Sequence, residues 1–276
     1  MSVLAPGKIN YRARMERAEY LSAHHPFAAK ILDFYGHVAR FQKDCHENLP
    51  KLWGKHPVAP ANGGLRSELN LAVVLKSFGK FLSLIETEAP GPLAAQARQL
   101  RMQGETRWAE LLEEYWKEGL LESSSLEQME EFLARAFLQP YAEFVAGAML
   151  PPVLAMTVCR CPRCNSLPLL GVLRPEGDGG KRFLQCAFCL GEWEFRRILC
   201  AHCGEEREKE LPVYVAEAFP HIRVECCETC KRFLRTIDLT KDGNAVPMVD
   251  DLAAIPLHLW AEENGYKRIQ GNLLGT

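Results

Sequence analysis

The sequence lacks an excess of charge of either sign: the net charge of its 276 residues is −2. This balance provides no general electrostatic attraction to nucleic acids or to anionic membranes. The N-terminal segment lacks the apolar region and small-residue cleavage site of a secretory signal. The longest uncharged apolar run, 144–159, is too short to span a bilayer and is interrupted by Pro151-Pro152. We therefore expect a cytoplasmic protein without membrane insertion.

Familiar catalytic motifs are also missing. The sequence contains no P-loop, no G-x-G-x-x-G, no H-E-x-x-H and no Ser/His/Asp pattern. The histidines of the first half show no metal-ligand spacing among themselves. We therefore expect no enzymatic activity and identify no catalytic residue.

Cysteine is nearly absent from the first half, where Cys45 is the single example and is predicted to be an inert thiol. Apolar residues recur there at helical spacing over about five segments, the first of which begins after His24-His25. Ser67 is predicted to cap one of these helices, and Pro140 is predicted to begin the last one. These patterns predict an all-α helical domain over residues 1–152, which ends at Pro151-Pro152.

The second half contains the other ten of the eleven cysteines, and eight of them form C-x-x-C pairs. The pairs are Cys161/Cys164, Cys186/Cys189, Cys200/Cys203 and Cys227/Cys230. Two closely spaced C-x-x-C pairs are typical of a four-cysteine metal site, and cytoplasmic thiols are seldom oxidised to disulfides. We therefore predict that the first two pairs bind one metal ion and the last two bind another.

The alternative to this assignment is one interleaved site system. An internal repeat favours two separate sites, because each repeat unit supplies its own four ligands. Each unit begins with one cysteine pair, continues through a hairpin to a second pair, and ends with a third strand, EWEFRRIL or RFLRTIDL. This arrangement predicts a first rubredoxin-like or zinc-ribbon module over 153–198 and a second over 199–240, followed by a helical tail over 241–276 that packs on the rest. The predicted fold class is α+β multidomain, with an N-terminal helical domain and two tandem modules.

The predicted sites are closed, because four thiolates surround each ion and leave no position for substrate. Such a site is structural with zinc and can carry electrons with iron, so the metal remains open between the two.

The residue after each pair is expected to need a left-handed backbone, which Asn165 and Gly204 accept easily. Cys159 and Cys226 lie beside ligands, and we interpret them as bystanders rather than redox sensors. Basic residues near the pairs are expected to offset the charge of the sites, namely Arg160, Arg163, Lys181, Arg182, Arg196, Arg197, Lys231 and Arg232.

Longer motifs around the pairs resemble the FdhE family of formate dehydrogenase accessory proteins. They are CPRCNSLP, RFLQCAFCLGEWEFRRILCAHCG, RVECCETCKRFLRTIDL and the tail VDDLAAIPLHLWAEENGYKR. The resemblance implies a cytoplasmic maturation factor, or chaperone, that binds the catalytic subunit of a respiratory formate dehydrogenase. It also implies that iron competes with zinc for the four-cysteine sites.

Two alternatives belong to other functional classes. A rubredoxin-like redox carrier would require bound iron with a reversible potential. A nucleic-acid-binding zinc-ribbon protein would require a basic face, but acidic residues are interspersed among the basic ones in the same strands, which makes nucleic acid an unlikely partner. An absorption spectrum would test the first alternative, and salt-dependent binding of DNA or RNA would test the second.

Overall fold

A computed structural model describes residues 9–53, 64–67, 69–119, 125–149, 155–177 and 179–275. The helices are α1 (Tyr11–His24), α2 (Ala29–Trp53), α3 (Leu71–Glu88), α4 (Gly91–Glu118), α5 (Ser125–Ala148), α6 (Pro247–Ala253) and α7 (Ile255–Glu263). The strands are β1 (Pro168–Glu176), β2 (Gly179–Cys186), β3 (Glu192–Glu194), β4 (Val213–Val215), β5 (Ile222–Cys227), β6 (Arg232–Asp238) and β7 (Lys267–Arg268). Among the described residues, no helix is both long enough and apolar enough to cross a membrane.

The chain divides into two compact units. We call residues 33–150 the helical unit, and residues 1–32 together with 151–276 the ribbon unit. Helix α1 belongs to the ribbon unit, where Arg17 Nη2 lies 2.7 Å from Asp242 Oδ2 and 2.5 Å from Asp250 Oδ1. Pro151-Pro152, the predicted boundary, lies outside the described residues. The domain limits at 152, 198 and 240 remain predictions.

The helical unit differs from the prediction at two helix ends. Helix α5 continues through Pro140, which was predicted to begin a new helix. Proline removes one helical hydrogen bond, but the apolar stripe of α5 is buried on both sides of it, at Phe137 and Tyr141, and this burial offsets the loss. Helix α3 begins after Asn70, whose side chain accepts a hydrogen bond from Val73 N. Ser67, the predicted cap, lies in a short 3₁₀ turn instead.

The ribbon unit contains one continuous sheet in the order β3-β2-β1-β6-β5-β4, and β7 pairs with β6 beside this path. Strands β1–β3 form the first module and β4–β6 the second, and within each module neighbouring strands are antiparallel. The hairpins lie where the repeat predicted them, and β6 covers nearly all of RFLRTIDL. Strand β3, in contrast, covers only the first three residues of EWEFRRIL. A helical N-terminal region followed by a sheet with two cysteine clusters confirms the predicted fold class.

The two modules are joined by a parallel pairing of β1 with β6, which the sequence did not predict. Gly171 lies opposite Thr236, and Leu173 lies opposite Asp238. A Cβ atom on Gly171 would overlap the hydroxyl group of Thr236 and would lie 3.1 Å from its Cβ. Glycine at this position therefore allows the two modules to approach closely enough to share one sheet.

Two adjacent aspartates of α6 connect the tail to the rest of the ribbon unit. Asp250 is hydrogen-bonded to Arg17 and to His221 Nε2 at 2.9 Å, so it holds α1 against the unit. The carboxylate of Asp251 is fully buried and lies 2.8 Å from Arg235 Nε and 2.7 Å from Arg268 Nη2. Burial alone would raise the pKa of Asp251, but the two guanidinium groups hold it below its ordinary value.

Candidate metal centres

The first cluster brings together the four cysteines predicted to share one ion. Cys161 and Cys164 lie in the turn before β1, Cys186 ends β2, and Cys189 lies in the turn before β3. All four are buried, and their Sγ atoms lie within 4.8 Å of one another. The Sγ–Sγ distance is 3.3 Å between Cys164 and Cys186 and 3.6 Å between Cys161 and Cys189. These separations exclude disulfides, whose sulfurs lie about 2.05 Å apart.

The second cluster has the same arrangement in the second module. Cys200 and Cys203 lie before β4, Cys227 ends β5, and Cys230 lies in the turn before β6. The Sγ–Sγ distance is 3.8 Å between Cys200 and Cys230 and 3.7 Å between Cys203 and Cys227. This cluster is less enclosed, because Cys203 is exposed and Cys230 is partly exposed. Access of chelators or oxidants is therefore easier at the second cluster than at the first.

The backbone turns of the four cysteine pairs follow the predicted geometry. The residue after each pair has a positive φ angle: 59° at Asn165, 52° at Leu190, 75° at Gly204 and 54° at Lys231. Among the described non-glycine residues, positive φ angles occur only at three of these positions. In the turn that begins the second cluster, the amides of His202 and Cys203 lie 3.4 and 3.5 Å from Cys200 Sγ. Donation from these amides favours the thiolate that a metal requires.

The sulfur geometry fits a tetrahedral ion. With a metal–sulfur bond of about 2.3 Å, the edges of a tetrahedron of sulfurs measure about 3.8 Å. The observed Sγ–Sγ contacts of 3.3–3.8 Å lie at or just below this length. Burial raises the pKa of Cys186 well above its ordinary value, while hydrogen bonds from the other thiols hold the pKa of Cys164 well below its own. Four thiolates therefore require a compensating cation, and the two clusters could hold two metal ions.

A buried cation lies beside the first cluster. The side chain of Arg163 is 3% exposed, and its Nε has no hydrogen-bond partner within the described chain. A Cβ on Gly191 would lie 2.8 Å from Arg163 Nη1 and 3.4 Å from Cys189 Sγ, so the guanidinium group and the cluster meet at this glycine. A tetrathiolate site with a divalent ion carries a net charge near −2, and Arg163 is placed to offset part of it.

Several of the other basic residues have different partners from those expected. Four of them form ion pairs with glutamates: Lys181 with Glu194, Arg182 with Glu225, Arg196 with Glu206, and Lys231 with Glu228. These pairs connect strands and turns of the ribbon unit. Offsetting the charge of the clusters is therefore not the main role of these four residues.

The remaining cysteines lie outside the two groups. Cys159 belongs to the first module by sequence, yet its Sγ lies 3.8 Å from the carbonyl oxygen of Cys200 in the second. Cys226 is buried outside the second cluster, and burial raises its pKa to about 12. Burial likewise raises the pKa of Cys45 to about 12, as expected for an inert thiol.

A third group of possible ligands, His221, Asp242 and Asp250, was not predicted from the sequence. Arg17 lies between the two carboxylates and forms ion pairs with both of them. A guanidinium group already provides the positive charge at this position. We therefore interpret the group as an ion-pair network that holds α1, rather than as a metal site.

Comparison with known proteins places these clusters in a family context. Residues 160–197 match the family model of the FdhE central domain, and residues 198–274 match that of the FdhE C-terminal domain. The Protein FdhE homolog of Aquifex aeolicus is 25% identical over 274 residues, which cover 95% of this chain and 94% of that protein. The Pseudomonas aeruginosa homolog is 35% identical over 119 residues, 41% of this chain and 38% of that protein.

A solved structure extends the likeness to nearly the whole chain. The crystal structure of the FdhE protein from Pseudomonas aeruginosa superposes with a TM-score of 0.74 and 26% sequence identity. The match covers 99% of this chain and 98% of that one. The helical region is therefore similar as well, although the family models match only the cysteine-containing part.

Proposed function

Since the chain belongs to the FdhE family, we propose that it is an accessory protein that binds the catalytic subunit of a respiratory formate dehydrogenase. Binding is needed for maturation or activity of that enzyme, and it occurs in the cytoplasm before the subunit is exported. The observation that carries this proposal is the structural match over nearly the whole chain to an FdhE protein. A factor of this kind requires a binding surface and a stable scaffold, but no catalytic site of its own.

The eight clustered cysteines hold two ions per chain in this proposal. Cys161, Cys164, Cys186 and Cys189 ligate the first, and Cys200, Cys203, Cys227 and Cys230 ligate the second. The support is geometric: both groups have tetrahedral sulfur spacing, and a buried cation accompanies the first. Each module is too small to fold on apolar burial alone, so metal binding contributes directly to its folding free energy.

Iron and zinc imply different roles for the same ligands. With zinc the sites are structural, whereas with iron they are also able to exchange electrons with a partner. An absorption spectrum of anaerobically purified protein distinguishes the two, because oxidised iron held by four cysteines is coloured and zinc is not. A reversible potential together with binding of the dehydrogenase would add electron transfer to the accessory role.

A deletion strain provides the functional test. A bacterium that lacks its own copy of the protein is complemented with the wild type, with Cys203→Ser, or with Cys159→Ser as the matched cysteine control. We expect Cys203→Ser to reduce both capture of the catalytic subunit and formate dehydrogenase activity, while synthesis of the enzyme persists. Cys159→Ser should behave as wild type. Normal activity in cells whose protein lacks both ions would overturn the proposal, as would formate oxidation by the purified protein alone.

A further inference from the structure

The edge strand β4 carries exposed apolar side chains on both faces. The exposed fractions of Val213, Tyr214 and Val215 are 52%, 38% and 51%, and that of nearby Ile198 is 46%. These are four of the ten large apolar side chains that are exposed in the described part of the chain. Apolar exposure concentrated at a sheet edge is typical of an interaction surface.

The main chain of β4 also has unused hydrogen-bonding groups. Cys226 N donates a hydrogen bond to Pro212 O at 2.9 Å, so the main-chain groups of Pro212 face β5. Tyr214 lies two residues later and therefore also faces β5. Successive residues of a strand direct their N–H and C=O groups to opposite edges, so those of Val213 and Val215 point away from the sheet. Strand β4 ends the strand order, and no described strand pairs with this outer edge.

A cavity of about 470 Å³ lies beside β4 and is lined by residues of both modules. Leu173 of β1 and Leu234 of β6 line it, together with Ile198 and Leu211 from the segment between β3 and β4. Val213 also contributes to the lining. The cavity therefore combines an apolar interior with the exposed edge of the sheet.

The charged residues around the cavity are mainly arginines: Arg182, Arg197, Arg223 and Arg232, against Glu208 and Glu225. Within the described chain, Arg197 and Arg232 have no carboxylate partner. Arg182 is 3% exposed, and its Nε has no hydrogen-bond partner among the described residues, although its Nη2 pairs with a glutamate. Arg223 pairs with Asp238, and Cys200 and Cys227 of the second cluster also line the cavity. Carboxylates bind guanidinium groups strongly, so Arg197 and Arg232 are the residues suited to acidic side chains.

We propose that β4 and this cavity bind an extended acidic segment of a partner polypeptide. The segment adds to the sheet as a further strand beside β4, where main-chain hydrogen bonds provide affinity. Alternate side chains of an added strand point to the same face, so its carboxylates reach the arginines of the cavity. This inference rests on the proposed function, because it assigns the surface at which the dehydrogenase subunit docks.

A peptide titration tests the docking site directly. The probes are an eight-residue peptide of alternating valine and glutamate and its valine–lysine counterpart, both fluorescently labelled, added to the metal-loaded full chain. We expect saturable binding of the acidic peptide, measured by fluorescence anisotropy, and none of the basic one. Equal binding of both peptides, or no binding of the acidic peptide, would overturn the proposal.

Paired variants separate the two parts of the site. Val215→Pro removes an outward N–H but no bond to β5, and Val215→Thr retains that N–H. Loss of one such hydrogen bond should weaken binding of the acidic peptide up to about tenfold. Arg197→Glu should weaken it as well, whereas Arg196→Glu, which changes a neighbour outside the cavity lining, should not. Circular dichroism and metal content verify folding, and Arg197→Glu tests the site if the proline variant does not fold. Equal binding within each pair would contradict the proposal.

Capture of a formate dehydrogenase catalytic subunit distinguishes this inference from the proposed function. If the wild-type chain does not capture the subunit, the accessory role fails, and the peptide titration still decides whether the site exists. If the wild type captures the subunit and both Val215→Pro and Arg197→Glu capture it equally well, the docking site is wrong while the accessory role stands. Self-association of the chain that Val215→Pro abolishes would identify a second copy as the occupant and would also overturn the proposal.

Discussion

Replacement of Asp251 by asparagine should strongly destabilise the ribbon unit. The Asp251 carboxylate is fully buried and forms ion pairs with two guanidinium groups, one of which, Arg235, is also fully buried. Burial, together with the nearby Arg268, lowers the pKa of Arg235 to about 9, and the Asp251 carboxylate opposes this shift. The asparagine keeps the shape and one oxygen acceptor, but it removes the buried negative charge that pairs with both Arg235 and Arg268.

The expected cost follows from the burial of the pair. Removal of one partner from a buried ion pair costs about 3–5 kcal/mol, and we take about 3 kcal/mol because asparagine retains a hydrogen-bond acceptor. For a unit of this size, that loss lowers the melting temperature by roughly 6–12 °C. Asp242→Asn is the matched control: its side chain is 28% exposed, so loss of its pair with Arg17 should cost less than about 1 kcal/mol.

Urea and thermal unfolding of the metal-loaded proteins measure this difference, with metal content determined for each variant. The pH dependence provides a second check. The folded-state pKa of Asp251 is lowered, so its contribution is complete above the unfolded-state pKa of about 3.9 and is lost as the pH falls through the folded value. The gap between wild type and Asp251→Asn should therefore be full near pH 7 and should narrow below about pH 4. A gap no larger than that of Asp242→Asn at pH 7 would refute the argument.

Three further predictions concern the sheet and the metal sites. Gly171→Ala should destabilise the ribbon unit by about 1–3 kcal/mol, because its new methyl group overlaps Thr236. Gly179→Ala is the control and should have little steric effect, because no atom lies within 4 Å of the added carbon. Equal urea midpoints for the two variants would contradict the close approach of β1 and β6. Elemental analysis should find two ions in the wild type and one in Cys186→Ser, and loss of both ions would favour interleaved ligands. Gly191→Ala should accelerate release of the first ion to a chelator, because its methyl group displaces the buried guanidinium beside that cluster; an unchanged release rate would rule out a role for this cation.

The candidate metal centres could be located from the sequence because their geometry is local. A C-x-x-C turn confines two sulfurs to one side of the chain and requires a left-handed residue afterwards, which Asn165 and Gly204 satisfy. The repeat then identified the hairpins and third strands, because both modules place them at the same distance from the cysteines. Grouping of the eight cysteines into two sets of four followed from that spacing.

Features that depend on distant residues were not predictable in this way. The pairing of β1 with β6 brings Gly171 beside Thr236, and nothing in the local pattern of either strand specifies that partner. The segment containing Asp250 and Asp251 was recognised as a family motif, but its role depends on arginines that are distant in sequence. The count of about five N-terminal helices agrees with the structure only because two errors cancel. Helix α1 was missed, and α5 was divided at Pro140, where burial of one apolar stripe outweighs the local effect of proline.

The pairing that joins the modules has a consequence for self-assembly. Strand β1 is the first strand of the first module, and β6 is the third strand of the second, so the contact between the modules is head-to-tail. The two outer strands of the sheet are again a first strand, β4, and a third strand, β3. The same contact between separate molecules would have no natural end and would propagate into a fibre. Strands β4 and β3 have three residues each, whereas β1 and β6 have nine and seven. The outer strands β3 and β4 are therefore too short to repeat this contact between molecules, and the junction of β1 with β6 stays within one chain.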